Sequence, residues 1–162
     1  MRNLRERLQK RLDKAGRILL LGVGSELRGD DAAGMVLAQN LKRSLRGRKD
    51  RRVRILLGGT APENLTGQIK RFNPSHLVIL DAADMGKRPG ETAILETKDL
   101  DNLSFGTHVL SLGILVNYLL ETLKMDVFLL GIQPESLEIN QPLSLEVGAS
   151  VNKLSALLAE IL

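Results

Sequence analysis

Residues 18–38 read ILLLGVGSELRGDDAAGMVLA, and this stretch decides the fold. Ile18 to Val23 form an apolar run of a length that suits a strand buried on both faces. Gly22, Gly24 and Gly29 break it, permitting a tight turn and close approach of another group to the backbone. At Asp30 and Asp31 the apolar spacing becomes helical, continued by Met35, Val36, Leu37 and Ala38. Two carboxylates therefore stand where a strand stops and a helix starts. That point is the carboxyl edge of an expected parallel sheet, where open α/β sheets place their sites.

Working outward, the same reasoning covers the rest of the chain. Toward the N-terminus, Leu4, Leu8 and Leu12 mark one stripe of a charged helix over 3–14, stopped by Gly16. Toward the C-terminus, the first long helix ends near Gly47, and a second strand spans 53–57. The glycine turn GGTAPEN leads through Pro62 into a helix ending near Phe72. HLVILDA at 76–82 is apolar on both sides and reads as a central strand closed by Asp81. ETAILETK alternates like an edge strand. A strongly apolar helix over about 107–124, a strand DVFLLGI, the loop QPESLEINQP and a helix over 143–162 complete the chain. The expected fold is α/β: one three-layer α/β/α sandwich around a mostly parallel five-stranded sheet, residues 17–162, with residues 1–16 as an N-terminal helical extension.

Composition narrows the function classes. The 162 residues contain no cysteine, which removes disulfides, thiolate metal ligands and a cysteine nucleophile together. No apolar run is long enough to span a membrane, and the N-terminus is too charged for a signal peptide, so the cytoplasm is the expected location. The first 54 residues carry sixteen Lys/Arg against six Asp/Glu, and the remainder seven against thirteen. No aromatics interleave with the basic run at 42–54 to stack on bases, so the charge reads as solvated surface and no nucleic acid is expected. A docking face for an acidic partner is the sharper alternative.

Adjacent parallel placement of the first and third strands would bring Asp31 and Asp81 to one sheet edge. The loop carrying His108, before the apolar helix, could lie over it. Two carboxylates and an imidazole make a plausible divalent-metal constellation with open positions. Each residue also has a plainer role: Asp30 or Asp31 as a helix cap, Asp81 as a loop tie, His108 as a cap or packed side chain. One division of labour has Asp30 capping and Asp31 pointing outward. A dinucleotide site lacks its glycine at Leu27 and its acid at Leu57; no phosphate-loop lysine motif, HExxH or nucleophile elbow occurs. His76, beside Pro74, reads as a surface residue.

GVGSELRGDDAAG, GGTAPEN, HLVILDAADMG with PGE, GTH before an apolar helix, and LLGIQPES occur in that order. Together they resemble the NiFe-hydrogenase maturation endopeptidases over nearly all of 17–162. The resemblance is greatest to the branch serving formate-hydrogenlyase-type and related membrane-bound hydrogenases. It implies an aspartyl-type, cytoplasmic protease that trims the C-terminal extension of the hydrogenase large-subunit precursor after nickel insertion. Asp31, Asp81 and His108 would be its nickel-contacting and catalytic residues. Nickel would arrive with the substrate, with no tightly bound cofactor of the protein's own, and the isolated chain is expected to be a monomer. Gly24, Ser25, Gly58, Gly59 and Thr60 are the candidate substrate-binding residues, their glycines leaving room for an extended tail. The sequence departs from the family pattern at Ser25, where asparagine is usual, and at Leu57, where an acid is common. Two other classes remain open on the residues alone: a non-catalytic adaptor for a metallated partner, and a nucleotide-binding domain using the Gly24–Gly34 loop.

Overall fold

The computed structural model describes residues 2–48, 50–97 and 109–162. Helix α1 (Arg2–Leu12) precedes strand β1 (Ile18–Val23), helix α2 (Ala33–Ser44) and strand β2 (Val53–Gly59). Helix α3 (Thr66–Phe72), strands β3 (His76–Ala82) and β4 (Thr92–Glu96), helix α4 (Val109–Thr122), strand β5 (Asp126–Ile132) and helix α5 (Leu145–Ile161) follow. The sheet order is β2-β1-β3-β5-β4, with every pairing parallel except β4 on β5. This is the expected three-layer sandwich, with β4 at an edge.

The uninterrupted apolar strands follow from burial on both faces. Ile18 and Leu20 of β1 pack with Val78 and Leu80 of β3 against α1, α2 and α5. Leu19 and Leu21 face the other way with Leu77 and Ile79, against α3 and α4. The leucine stripe of α1 belongs to the first of these cores: Leu4, Leu8 and Leu12 are all buried. Arg11, on the same helix, reaches Glu96 on β4 and Asp126 on β5.

Several boundaries differ from the sequence reading, each for a local reason. Gly22 does not break β1, which runs to Val23; instead a Cβ there would sit 2.6 Å from the Ala38 side chain of α2. β2 continues through both glycines of the GGT turn by a bulge in its pairing with β1. The helix after Asp31 begins with a 3-10 turn, Gly29–Ala32, and ends at Ser44 rather than near Gly47. Beyond Leu41 that helix carries exposed basic residues with nothing to bury. The expected start of α4 at 107–108 lies outside the described residues.

The contact that positions the site is between α2 and the sheet. A Cβ on Gly34 would lie 2.0 Å from the Leu80 carbonyl oxygen and 2.6 Å from that of Val23. Only glycine lets the first turn of α2 rest on the ends of β1 and β3. The regular β1–β3 pairing ends at Gly22 opposite Leu80, so Asp81 is level with the point where β1 leaves the sheet.

Candidate active site

Asp31 and Asp81 meet at this carboxyl edge. Asp31 sits in the 3-10 turn, 3% exposed, and its Oδ2 accepts the Ser25 N–H at 2.8 Å. The turn closes because Gly24 takes a φ of +119°. A Cβ on Gly24 would strike the Asp31 carbonyl oxygen at 1.8 Å and approach Asp81 Oδ1 at 3.6 Å. Asp81, the penultimate residue of β3, is 4% exposed. Its burial, and next the negative charge of Asp31, push its carboxyl well above the ordinary carboxylate range; a hydrogen bond from the Ala82 backbone opposes this only in part. The edge thus holds two coupled buried acids, one favouring its protonated form. Such a pair can exchange a proton with a reacting group, and it can receive a cation that relieves the repulsion.

Asp30 does something the sequence reading did not foresee. Neither the 3-10 turn nor α2 has a side-chain cap, so the division of labour with Asp30 as cap is corrected. Instead the Asp30 carboxylate, 1% exposed, turns toward the segment between β5 and α5. It accepts the N–H groups of Glu135 at 2.8 Å, Ser136 at 3.2 Å and Ser144 at 2.7 Å, and the Ser144 hydroxyl at 3.0 Å. Asp31, read as pointing outward, is buried and folds back onto the turn that precedes it.

The glycines read as substrate-facing divide by their surroundings. Gly24 is required by contacts within the fold, and Gly58 likewise sits against the Gly22 carbonyl and Pro62. Gly59 has a φ of +56° and open space where a side chain would stand, while its N–H donates to the Met35 sulfur at 3.2 Å. Gly24 and Gly59 are joined by a backbone hydrogen bond of 3.0 Å, which places Ser25 and Thr60, one residue further along each strand, at the same edge. His108 lies outside the described residues. Among the described residues, no three His, Cys, Asp or Glu side chains gather into a metal-holding group. His76 is at the opposite, amino end of β3, half buried, 3.7 Å from Asp126.

Gln133 also escaped the sequence reading. Buried beyond β5, it accepts the N–H groups of Met85 at 2.7 Å and Lys87 at 3.1 Å and donates to Asp84 at 3.0 Å. It fixes the loop after β3, and so the setting of Asp81. A glutamine between an apolar strand and a proline was the available signal. Acids buried at the start of α2 also make that helix end a poor phosphate site, which removes the support for nucleotide binding.

A buried acid pair at the carboxyl edge of a mostly parallel α/β/α sandwich, set under a glycine turn, defines a small α/β protein with an acidic site. Comparison with known proteins narrows it. Residues 35–161 match the family model for HycI, hydrogenase maturation protease. A putative hydrogenase maturation protease of Methanocaldococcus jannaschii is 34% identical over 163 residues, covering 98% of this chain and 96% of that one. The hydrogenase 3 maturation protease of Escherichia coli is 37% identical over 130 residues, 78% of each chain. The crystal structure of the NiFe hydrogenase maturation protease HycI from Thermococcus kodakarensis superposes with a TM-score of 0.84 at 34% identity, covering 95% of this chain and 97% of that one. The chain belongs to the hydrogenase maturation protease family and is a peptide-bond hydrolase.

Proposed function

We propose that this protein removes the C-terminal extension of a NiFe-hydrogenase large-subunit precursor once nickel has been inserted. The observation that carries the reading is the buried Asp31–Asp81 pair in a chain of this family. Nickel enters as part of the substrate. Asp31, Asp81 and His108 complete its coordination, which registers a mature precursor and sets one peptide bond at the site. His108 directly precedes α4 in sequence, and α4 packs on the same core as Leu77 and Ile79, the β3 residues two and four before Asp81. Alternation along the strand gives Asp81 that same face.

The chemistry is hydrolysis. A water oxygen adds to the peptide carbonyl carbon, the carbon–nitrogen bond breaks, and the leaving amine takes a proton. With nickel bound, Asp81 would have released the proton that its burial otherwise favours. Its carboxylate would then take a proton from the attacking water and pass it to the leaving amine, with Asp31 orienting the water. Nickel between the carboxylates would offset their repulsion, so an approaching cation is favoured over an empty pair. The tail would run along the backbone from Gly24 and Ser25 to Gly58, Gly59 and Thr60, with Gly59 offering the open stretch. Three ligands without a thiolate make a weak site for a borderline metal, so the isolated protein should purify with little nickel, as a cytoplasmic monomer. No helix of the described residues is long and apolar enough to cross a membrane.

The test is to incubate the protein with nickel-loaded precursor and weigh both products by mass spectrometry. Two fragments whose masses sum to the precursor plus water are expected. Asp31→Ala, Asp81→Ala and His108→Ala should each abolish them while the variants stay folded. Normal processing by all three would overturn the site assignment, and an uncut precursor with wild-type enzyme would overturn the nickel-loaded precursor as its substrate.

A further inference from the structure

Two large apolar side chains stand outward on the loops flanking the acid pair. Leu27 is 70% exposed and Ile139 65% exposed. Single exposed hydrophobics are ordinary; these two are set apart by what holds their backbones together. The Asn140 N–H donates to the Leu27 carbonyl at 2.8 Å, the Gly29 N–H to the Gln141 carbonyl at 3.1 Å, and the Asp30 N–H to the Ser136 carbonyl at 3.0 Å. Beneath them lies the Asp30 carboxylate with its four bonds to Glu135, Ser136 and Ser144. Asn140, next to Ile139, holds a left-handed φ of +62°. A fully buried acid thus orders two surface loops whose tips keep apolar groups in water. Loops ordered in advance lose less freedom when a partner binds.

We propose that Leu27 and Ile139 form an apolar docking rim for the folded precursor, held in place beside the acid pair by Asp30. The inference rests on the reading of this chain as a precursor-cutting protease. The occupant follows from continuity with the site: Leu27 lies in the same turn as Ser25, whose N–H binds Asp31. A polypeptide that reaches Asp31 and Asp81 at this edge passes over that turn. Glu26 and Glu138, the chain neighbours of Leu27 and Ile139, are exposed, and Arg28 on the other side of Leu27 is partly exposed, so the two apolar groups stand among charged residues of both signs. The matching surface on the precursor is an apolar patch with a polar, charged border.

The experiment compares Leu27→Ser, Ile139→Ser and the double variant with wild type on the full precursor. Leu120→Ser, a half-exposed leucine on α4, serves as the control. Each rim variant should raise KM about tenfold, the effect of losing one buried aliphatic contact. kcat should stay within about twofold and melting should be unchanged, because both side chains are already exposed in the free protein. Leu120→Ser should behave as wild type. An unchanged KM, or a fall in kcat at constant KM, would overturn the rim. A wild-type dimer that the double variant converts to a monomer, with KM unaltered, would make the patch a contact between copies and also overturn it. If wild type leaves the precursor uncut, the proposed function fails. Titration of precursor into wild type and double variant then decides the rim separately, equal affinities counting against it.

Discussion

Replacing Arg11 with alanine should loosen α1 from the sheet, and the structure gives the size of the effect. The guanidinium donates to Glu96 at 2.8 and 3.0 Å and to Asp126 at 2.5 and 2.6 Å. Its central carbon lies 4.1 Å from the centre of the Phe128 ring. Charge-assisted bonds contribute about 1.5–3 kcal/mol each when isolated from water. Here both acids keep access to solvent, and the four bonds form one network, so a plain sum overstates the loss. With the ring contact included, Arg11→Ala should cost about 3 kcal/mol. For a chain of this size that corresponds to a Tm lower by about 6–12 °C. Arg11→Lys should recover only part, since an ammonium cannot serve both carboxylates as a planar fork does. The pH dependence supplies a second arm. The hydrogen bond from Arg11 holds the Asp126 carboxyl below its usual value of 3.8. That stabilisation is complete above the unfolded value and is lost as pH falls through the lower folded one, so the gap between wild type and Arg11→Ala should close in acid. Thermal melts from pH 7 down to about pH 2 read both arms. A loss under about 1 kcal/mol at pH 7, or a gap that persists unchanged in acid, would refute this account of how α1 is held.

Other outcomes follow from the same geometry. Gly34→Ala puts a methyl group into two strand carbonyls, and should cost more than about 4 kcal/mol, seen as loss of soluble folded protein or a collapsed melting temperature. Asp30→Ser cannot span the distance to the segment after β5; it should lower stability by about 3 kcal/mol in urea titration. Asp31→Ser should instead abolish cleavage with a smaller change in melting, about 1 kcal/mol for the lost bond to Ser25. Asp81→Asn should melt higher than wild type at neutral pH. Folding favours protonated Asp81, so wild-type stability declines as pH rises from the ordinary 3.8 through the raised folded value; asparagine removes that decline, and the two curves should converge in acid.

The parts of the fold legible in the sequence were those written as periodicity. β1, β3 and β5 are apolar without interruption because both faces are covered, and the four-residue spacing of Leu4, Leu8 and Leu12 gave the buried side of α1. Asp31 and Asp81 were legible as a pair because one follows the turn after an apolar strand and the other closes a second such strand, and parallel neighbours align their ends. Asp30 was not, because its partners lie more than a hundred residues away and local spacing shows only a helix start. The same limit hid Gly34, whose need for glycine comes from the carbonyls of two other strands. It hid Gln133 as well, whose partners belong to the loop after β3. The placing of β4 beside β5, antiparallel, was also beyond local pattern, since alternation marks an edge without naming the neighbour.

The central claim is that a buried acid pair senses nickel carried by the substrate. Its most direct measurement is one cleavage assay on two forms of the same precursor, nickel-loaded and nickel-free, with enzyme constant and both enzyme and buffer chelated beforehand. The account predicts two products from the loaded form and none from the nickel-free form, with cleavage also absent when Asp31→Ala or Asp81→Ala enzyme meets loaded precursor. Efficient trimming of the nickel-free precursor by the chelated wild-type protein would contradict it.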